Sequence, residues 1–344
     1  PKTEVCPING DMFTKAERQA WEQRRPIVAM IENHLESRPQ SGLSFADVVY
    51  EAVAEGGITR FMGVFYCDAM AGIEKIAPVR SARMYFVNIA PEYSTPIFVH
   101  VGGGNCSMDK ASGQCTSHPK AQALEELQDL GWRKPGGNDI DTILDAGVPE
   151  LTRDLNRLGN DRRLSLEHTM VGSLPDLWAE AKERGYTQNM EDGTTWIENF
   201  TSWQFKDPAD LPGDVTEIAF SFWDGTPNFD VRWEFDQNSL LYTRYQGGQP
   251  HTDLETGQPI RAKNIIIQFA DEQSLQDIHK HMYYEVMGEN DALIFQDGRA
   301  IEGTWEKTSQ TSRTIFYNQD GEEIEFTRGK IWVEIVPDVN TIDY

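Results

Sequence analysis

The sequence has no long apolar run and far fewer basic than acidic residues. Its best apolar stretches, 26–31 and 96–101, are the size of strands and fall well short of the roughly 18 residues that a membrane helix needs. The 344 residues include 31 Lys and Arg against 55 Asp and Glu, which gives a formal charge of −24. Such a chain repels nucleic acid and anionic lipid surfaces, so we expect neither as its main partner.

Motifs for nucleotide binding and for common hydrolases are also missing. Gly102-Gly-Gly-Asn105 lacks the Lys-Ser/Thr of a P-loop and the spacing of a dinucleotide fingerprint. No Gly-x-Ser-x-Gly nucleophile elbow occurs. His279 and His281 have the spacing of metal ligands on a strand, yet no third ligand lies near them in the sequence. We therefore expect no cofactor and no resident metal.

Cysteine is rare, and its even number is typical of an oxidised protein. The four cysteines are Cys6, Cys67, Cys106 and Cys115. Cys106 and Cys115 bracket a polar loop that a disulfide would close, contributing about 2–3 kcal/mol by chain-entropy reasoning. Free thiols, or a metal site with Asp109 and His118, are the alternatives. The metal is the weakest of these because the tight Cys-x2–4-Cys pair of zinc sites is absent. The disulfide is favoured, and the pairing state of the other two cysteines stays open.

The first part of the chain mixes strand and helix patterns. Apolar runs predict strands at 26–31, 47–53, 60–66 and 97–101. Gly56 and Gly57 separate the second and third of these and supply the positive φ of a tight turn. Helices are predicted at 81–90, 120–130 and 175–184. The last has Pro175 in its first turn and Gly185 just past its end.

The second part is mostly β. Strands are predicted at 218–222, 231–235, 240–245, 264–268 and 331–336. Asp297-Gly298 and Asp320-Gly321 each predict a hairpin turn. The polar, proline-containing stretch 191–214 marks a soft boundary. We therefore predict an α+β fold of layered sheets, with the helices in an N-terminal domain (1–205) and a mainly antiparallel β domain at 206–344.

Several motifs occur along the chain in an order that is typical of one protein family. They are Arg25–His34, Arg38–Leu43, Glu55–Arg60, Pro78–Arg83, Phe98–Gly102, Ala292–Gly298, Ile301–Trp305 and Gly329–Pro337. With them the sequence resembles the YerB-like putative lipoproteins, bacterial envelope proteins of unknown function, over nearly its whole length. It departs from that family at Glu32, where members more often have Asp before Asn-His, and in the insertion between Cys106 and Cys115.

The resemblance implies a two-part fold of packed sheets and helices in an extracytoplasmic protein. It also implies a lipid anchor at the outer face of the cytoplasmic membrane. Such an anchor would lie upstream of Pro1, because Cys6 is followed by proline, a poor context for an acylated N-terminus. We therefore expect a trimmed N-terminus, with contact to the membrane only through the removed anchor.

Charged and polar side chains concentrate between residues 32 and 100. The candidate catalytic residues, which could supply acid–base chemistry, are Glu51, Glu55, His34 and His100. The candidate ligand-binding residues are Asn33, Arg38, Arg60, Arg80, Ser81, Arg83 and, for stacking on a sugar, Trp305. His168 lies in a segment that could reach the same cleft.

These residues allow two functions. The first is a non-catalytic envelope module that binds a glycan, a peptide or a protein partner. The second is an envelope hydrolase or transferase that uses Glu and His beside an arginine-lined anion site. A structural network of Arg–carboxylate pairs is the competing explanation for the same residues. An open pocket with Glu51 or Glu55 beside His34 and Arg80 would favour the enzyme, whereas buried, mutually paired groups would exclude it.

Overall fold

The α-helices of the described residues are few and all lie before residue 184. The structure is a computed structural model that describes residues 1–70, 74–159 and 161–344. The α-helices of these residues are α1 (Lys15–Trp21), α2 (Met84–Ile89), α3 (Ala123–Asp129) and α4 (Leu174–Glu183). None of them is long and apolar enough to cross a membrane. Helix α4 begins where predicted, with Ser173 as its N-cap and Pro175 in its first turn.

Strands make up most of the regular structure. The strands up to residue 206 are β1 (Glu4–Val5), β2 (Met12–Phe13), β3 (Ile27–Glu32), β4 (Val48–Glu55), β5 (Ile58–Phe65), β6 (Lys75–Ile76), β7 (Ile97–His100), β8 (Asp139–Asp141), β9 (Leu151–Arg153), β10 (Met170–Ser173) and β11 (Phe205–Lys206). Those that follow are β12 (Glu217–Phe220), β13 (Val231–Asp236), β14 (Leu241–Gln246), β15 (Gln249–Pro250), β16 (Arg261–Ala262), β17 (Asn264–Ala270), β18 (Glu272–Ser274), β19 (Met282–Tyr284), β20 (Gly288–Gln296), β21 (Arg299–Lys307), β22 (Ile315–Asn318), β23 (Phe326–Thr327) and β24 (Ile331–Pro337).

One large sheet runs through both halves of the sequence. Its ten strands have the order β22-β21-β20-β17-β24-β4-β5-β3-β7-β8. The last strand of the chain, β24, is parallel to both β17 and β4, and its register sets Glu334 beside Glu51. Strands β3, β4 and β5 lie inside the sheet and are buried along nearly their whole length, as expected for apolar runs covered on both faces. The sheet is therefore continuous across residue 205, and the division into two domains stays a prediction.

A smaller antiparallel sheet packs on the large one. It contains β12, β13, β14 and β15 in that order, with β16 paired to β14. Alternate residues of β13 are buried, and Trp233 packs edge-on against Trp332 of β24, with ring centroids 5.4 Å apart. Helices in the first half and mainly antiparallel strands in the second confirm the predicted α+β class.

Local predictions succeed where a turn or a cap carries the signal. Gly56 and Gly57 connect β4 and β5 with φ of 58° and 81°, and the turn at Asp297 and Gly298 connects β20 and β21. The turn at Asp320-Gly321 is flanked by β22 and a single bridge rather than by a full hairpin. Helix α2 begins three residues later than predicted, because Ala82 is still extended and bridges the 101–104 segment.

Both cysteine pairs are disulfide-bonded. The bond between Cys106 and Cys115 confirms the favoured prediction and closes a loop with a sequence separation of 9. The bond between Cys6 and Cys67, whose pairing the sequence left open, spans a separation of 61 and ties the N-terminal segment to the residues after β5. Because the loop closed by Cys6 and Cys67 is longer than the loop closed by Cys106 and Cys115, its closure restricts the conformations of the unfolded chain more.

The two disulfides should therefore differ in their contribution to stability. Replacing Cys6 and Cys67 by alanine should lower the free energy of unfolding by about 4 kcal/mol, and replacing Cys106 and Cys115 by about 2.5 kcal/mol. Urea denaturation of the two double variants and the parent chain measures both losses. Equal losses, or a larger loss for the short loop, would contradict the chain-entropy account.

Candidate functional site

The segment that follows β3 carries the side chains around which the candidate residues gather. Glu32 ends β3, Asn33 follows it, and His34 caps the short 3-10 turn Leu35–Ser37. The side chains of these three residues contact different partners, so the segment connects several polar clusters. We describe each cluster in turn.

Asn33 lies at the centre of a buried hydrogen-bond network. Its Nδ2 donates to Thr59 Oγ1 (2.7 Å) and to Glu51 Oε1 (3.3 Å). Its Oδ1 accepts from Arg38 Nε (3.0 Å) and from Gln40 Nε2 (2.9 Å). The side-chain amide thus uses its full capacity within the protein. Asn33 therefore orients Arg38 and does not itself face a ligand.

Arg38 is held by neutral oxygens. Besides the bond to the Asn33 side chain, its guanidinium donates to the backbone carbonyls of Asn33 (3.2 Å) and Asn228 (2.9 Å), and it lies over the ring of Phe229 at 4.8 Å. Burial, followed by the nearby charge of Arg244, lowers the pKa of Arg38 to about 10. Arg38 remains a cation at neutral pH, although none of these hydrogen-bond acceptors is a carboxylate.

A pocket of about 360 Å³ opens beside Arg38. One side of it comes from the 35–39 segment and the other from the end of β14 and the residues around β15. Besides Arg38, its lining includes Leu35, Pro39, Gln246, Pro250 and His251. The pocket therefore lies between the first half of the chain and the smaller sheet. Of the candidate residues, the structure brings Arg38 to this pocket and Asn33 directly behind it.

Glu55 joins two of the predicted arginines in a second cluster. Its Oε1 accepts from Arg60 (3.2 Å), and its Oε2 accepts from Arg83 Nε (3.1 Å). Burial opposes ionisation of Glu55, but the charges of Arg83 and Arg60 hold its pKa well below the ordinary value. Arg60 also donates to the backbone carbonyl of Ser81 at 3.0 Å. This cluster ties the β4–β5 hairpin to the start of α2, and its one carboxylate is shared by two guanidinium groups.

Glu51 is fully buried and also paired. Its carboxylate accepts from Thr59 Oγ1 (2.6 Å) and from Arg244, which comes from the smaller sheet. Beside it, Glu334 accepts from Trp233 Nε1 at 3.0 Å. Burial and the neighbouring Glu51 raise the pKa of Glu334 well above its usual range. The candidate base Glu51 therefore has no access to solvent, and sequence reasoning missed Arg244, its main partner.

His100 belongs to a separate buried cluster. Its Nε2 lies 2.6 Å from Asp139 Oδ1, and its Nδ1 lies 2.7 Å from the backbone carbonyl of Gly102. Both partners are acceptors, so both ring nitrogens donate and the ring is an imidazolium. Burial alone lowers the pKa of His100, but the charge and hydrogen bond of Asp139 raise it above the ordinary value. Arg133 completes the cluster by pairing with Asp139 and Asp141.

Arg80 and Ser81 are half-buried beside the end of β3 and the residues that follow β7. Arg80 Nε donates to Glu32 Oε1 (3.1 Å), and Ser81 Oγ donates to the carbonyl of Val101 (3.1 Å). The other Glu32 oxygen contacts His168, whose ring stacks on His34. Arg80 thus pairs with Glu32, and not with Glu51 or Glu55 as the enzyme hypothesis requires.

The prediction that Trp305 stacks on a sugar is wrong. The indole is buried, with 1 % of the residue exposed, and its Nε1 donates to the carbonyl of Phe269 at 2.7 Å. Trp305 occupies a buried position of strand β21, which directs the side chain into the core. Alternation of aromatic residues along strands was the signal for burial, and it applies to Trp305 as it does to its neighbours.

The comparisons with known proteins agree with this fold. Residues 13–187 match the N-terminal domain, and residues 218–333 the C-terminal domain, of a family described as protein of unknown function (DUF3048). The chain belongs to the DUF3048 family. It is 30% identical over 338 residues to the "Putative lipoprotein YerB" of Bacillus subtilis strain 168, covering 97% of this chain and 87% of that protein. A crystal structure of the YerB protein from Bacillus subtilis aligns with a TM-score of 0.76 at 26% identity, over 99% of this chain and 100% of the other.

These DUF3048 matches confirm the family resemblance that the sequence motifs indicated. The two matched regions leave residues 188–217 between them, and the predicted boundary at residue 205 falls in that interval. The family description assigns no reaction. What the candidate residues do must therefore be argued from their contacts.

The imidazolium of His100 predicts a specific dependence of stability on pH. Because its folded pKa is raised, His100 adds stability that is fully present below its unfolded pKa of about 6.5. That contribution is lost as the pH rises through the folded value. Urea denaturation between about pH 6 and pH 9 should show this loss in the parent chain and not in His100→Gln.

His279→Gln, which alters an exposed histidine, is the control and should keep the parental slope of unfolding free energy against pH. Identical slopes for His100→Gln and the parent chain would mean that His100 is not charged in the folded protein.

Proposed function

We propose that this protein is an extracytoplasmic, non-catalytic binding module. In this proposal a lipid anchor upstream of residue 1 holds it at the outer face of the cytoplasmic membrane. It binds a carboxylate-bearing envelope ligand, a glycan, a peptide or a protein partner, in the pocket beside Arg38. Nucleic acid is not a partner, because the chain carries a formal charge of −24.

The location is supported by two independent observations. The relative in Bacillus subtilis is named as a lipoprotein. All four cysteines are paired in disulfides, which form and persist in oxidising compartments outside the cytoplasm. Because all four cysteines are paired, the protein has no free thiol that a reducing compartment would have to maintain. Both features fit a protein that works on the outer side of the membrane.

A non-catalytic role is supported by the state of the candidate catalytic groups. Glu51 is buried against Arg244, Glu55 is bound by two arginines, and His100 is enclosed beside Asp139. A general acid or base must come within hydrogen-bond reach of a substrate and must exchange a proton with it. These groups are instead neutralised by partners inside the protein, as in a structural ion-pair network.

Arg38 is the observation that carries the proposal. Arg60, Arg80 and Arg83 each pair with a carboxylate, whereas the acceptors that hold Arg38 are neutral oxygens. These bonds use three of the five N–H groups of the guanidinium, and Arg38 lines a pocket of about 360 Å³. A ligand carboxylate would supply the anion that the site lacks, and a guanidinium fork binds a carboxylate with two parallel hydrogen bonds.

Titration with soluble peptidoglycan fragments tests the proposal. Isothermal calorimetry should show binding of carboxylate-bearing muropeptides to the parent chain and weaker binding of the same fragments after amidation. Arg38→Gln should weaken binding by about 10–100-fold, because a hydrogen bond to a charged group contributes about 1.5–3 kcal/mol.

Arg80→Gln is the matched control, since it removes a half-exposed arginine that already has a carboxylate partner. It should leave the affinity unchanged. A loss with Arg80→Gln but not with Arg38→Gln would place the ligand elsewhere, and no binding of any fragment would contradict this ligand class. Cleavage products in mass spectra of the mixture would favour the hydrolase or transferase instead.

A further inference from the structure

Two histidines and a glutamate from distant parts of the chain meet beside the Arg38 segment. The ligand atoms that His34, Glu36 and His168 can offer all lie within 4.8 Å of one another. The rings of His34 and His168 are stacked, with centroids 4.8 Å apart and planes 10° from parallel. His34 and Glu36 belong to the turn after β3, whereas His168 lies 132 residues after Glu36 (168 − 36), just before β10.

Glu32 determines which nitrogen of His168 carries a proton. The Nδ1 atom lies 2.8 Å from Glu32 Oε2, and a carboxylate only accepts, so Nδ1 carries the hydrogen. In the neutral ring Nε2 then has a lone pair, and this atom faces Glu36 Oε2 at 3.4 Å. Two such atoms repel each other unless a cation lies with them. The arrangement of carboxylate, histidine and open nitrogen is the one that metal sites use to orient an imidazole.

We propose that His34, Glu36 and His168 bind a divalent transition metal ion, with Zn²⁺ as the best match. Two imidazole nitrogens and one carboxylate oxygen suit zinc, which takes three protein ligands and leaves a fourth position for water or a ligand. Mg²⁺ and Ca²⁺ prefer oxygen ligands alone. Glu32 is a positioning residue, because it acts through His168.

Access is consistent with this site. Glu32 pairs with Arg80 at 3.1 Å, and Arg162 donates to the backbone carbonyl of Glu36 at 3.0 Å, so cations already lie near both glutamates. The Glu36 side chain is 60% exposed while His168 is buried, so an ion can enter from solvent and reach a partly enclosed imidazole.

A proton on His168 Nε2 would also remove the repulsion from Glu36, because the nitrogen would then donate to the carboxylate. The metal site has to be distinguished from this protonated state. The lone pair of a ligating imidazole lies in its ring plane, so His34 has to turn out of the parallel stack before it and His168 can hold one ion. Saturable Zn²⁺ binding separates the metal site from the protonated state. His34 Nδ1 now accepts the Glu36 backbone N–H at 3.2 Å. A metal at Nδ1 would replace this bond, and a metal at Nε2 would move the ring proton to Nδ1.

The inference departs from the expectation, drawn from the sequence, that the chain holds no metal. The sequence places His34 and Glu36 two residues apart and suggested that His168 could reach the same cleft, but it did not indicate a shared metal site. The site is separate from the proposed carboxylate pocket, although both use the same turn. Its test does not depend on the envelope ligand, so either proposal can fail alone.

The test uses metal-free full-length chain titrated with ZnCl₂ by calorimetry. We expect saturable binding of one Zn²⁺ per chain, no comparable binding of Mg²⁺, and a visible absorption band of tetrahedral Co²⁺ when cobalt is substituted. His34→Gln and Glu36→Gln each remove a ligand on a solvent-accessible turn and should fold normally. They should weaken Zn²⁺ binding at least as strongly as the roughly 10–100-fold that loss of a positioning partner costs.

Glu289→Gln removes an exposed acidic side chain on β20 and is the matched control. It should keep the parental affinity for Zn²⁺ and the cobalt spectrum. The proposal is overturned by the absence of saturable Zn²⁺ binding. It is equally overturned if His34→Gln and Glu36→Gln bind Zn²⁺ as tightly as Glu289→Gln, or if Mg²⁺ competes on equal terms.

Discussion

A guanidinium buried between two carboxylates joins the two sheets of this protein. Arg244 projects from β14 of the smaller sheet and is fully withdrawn from water, where it meets Glu51 of β4 and Glu334 of β24. Burying an unpaired charge costs several kcal/mol, so the smaller sheet can pack only where the carboxylates are available. Parallel pairing of β4 and β24 sets these two glutamates side by side. Burial and the neighbouring Glu51 raise the pKa of Glu334 well above its usual range.

The candidate site depends on the same interaction. Glu51 is bound by Arg244 and also by Thr59 and Asn33, and Asn33 in turn holds Arg38. The orientation of Arg38 at the pocket is therefore coupled through hydrogen bonds to the packing of the two sheets. The nearby charge of Arg244 contributes to the lowered pKa of Arg38, and it leaves Arg38 a cation among neutral partners. This polar network within the core thus ends at Arg38, whose hydrogen-bond acceptors are all neutral oxygens.

The parts of this arrangement that could be predicted are those with local causes. Gly56-Gly57 and the capped helix at Pro175 follow from backbone geometry that only a few residues satisfy, and both were recognised. Arg244 could not be recognised, because strand alternation assigns it to a face without saying what covers that face. Its partner Glu51 lies 193 residues away. Trp305 differs, because the alternation of aromatic residues along its strand already indicated a buried side chain.

The net charge of the chain and the charge at the pocket act over different distances. At physiological ionic strength charges more than about 8 Å apart in solvent are largely screened, so the excess of acidic residues slows the approach of an anion but does not decide its binding at contact. Binding at contact depends on the few groups that line the pocket. Three of the four candidate arginines form ion pairs with Glu32 or Glu55. Arg38 instead donates only to neutral oxygens. Because the walls of the pocket limit which anion can reach Arg38, the site discriminates by shape as well as by charge, which favours selectivity over general anion binding.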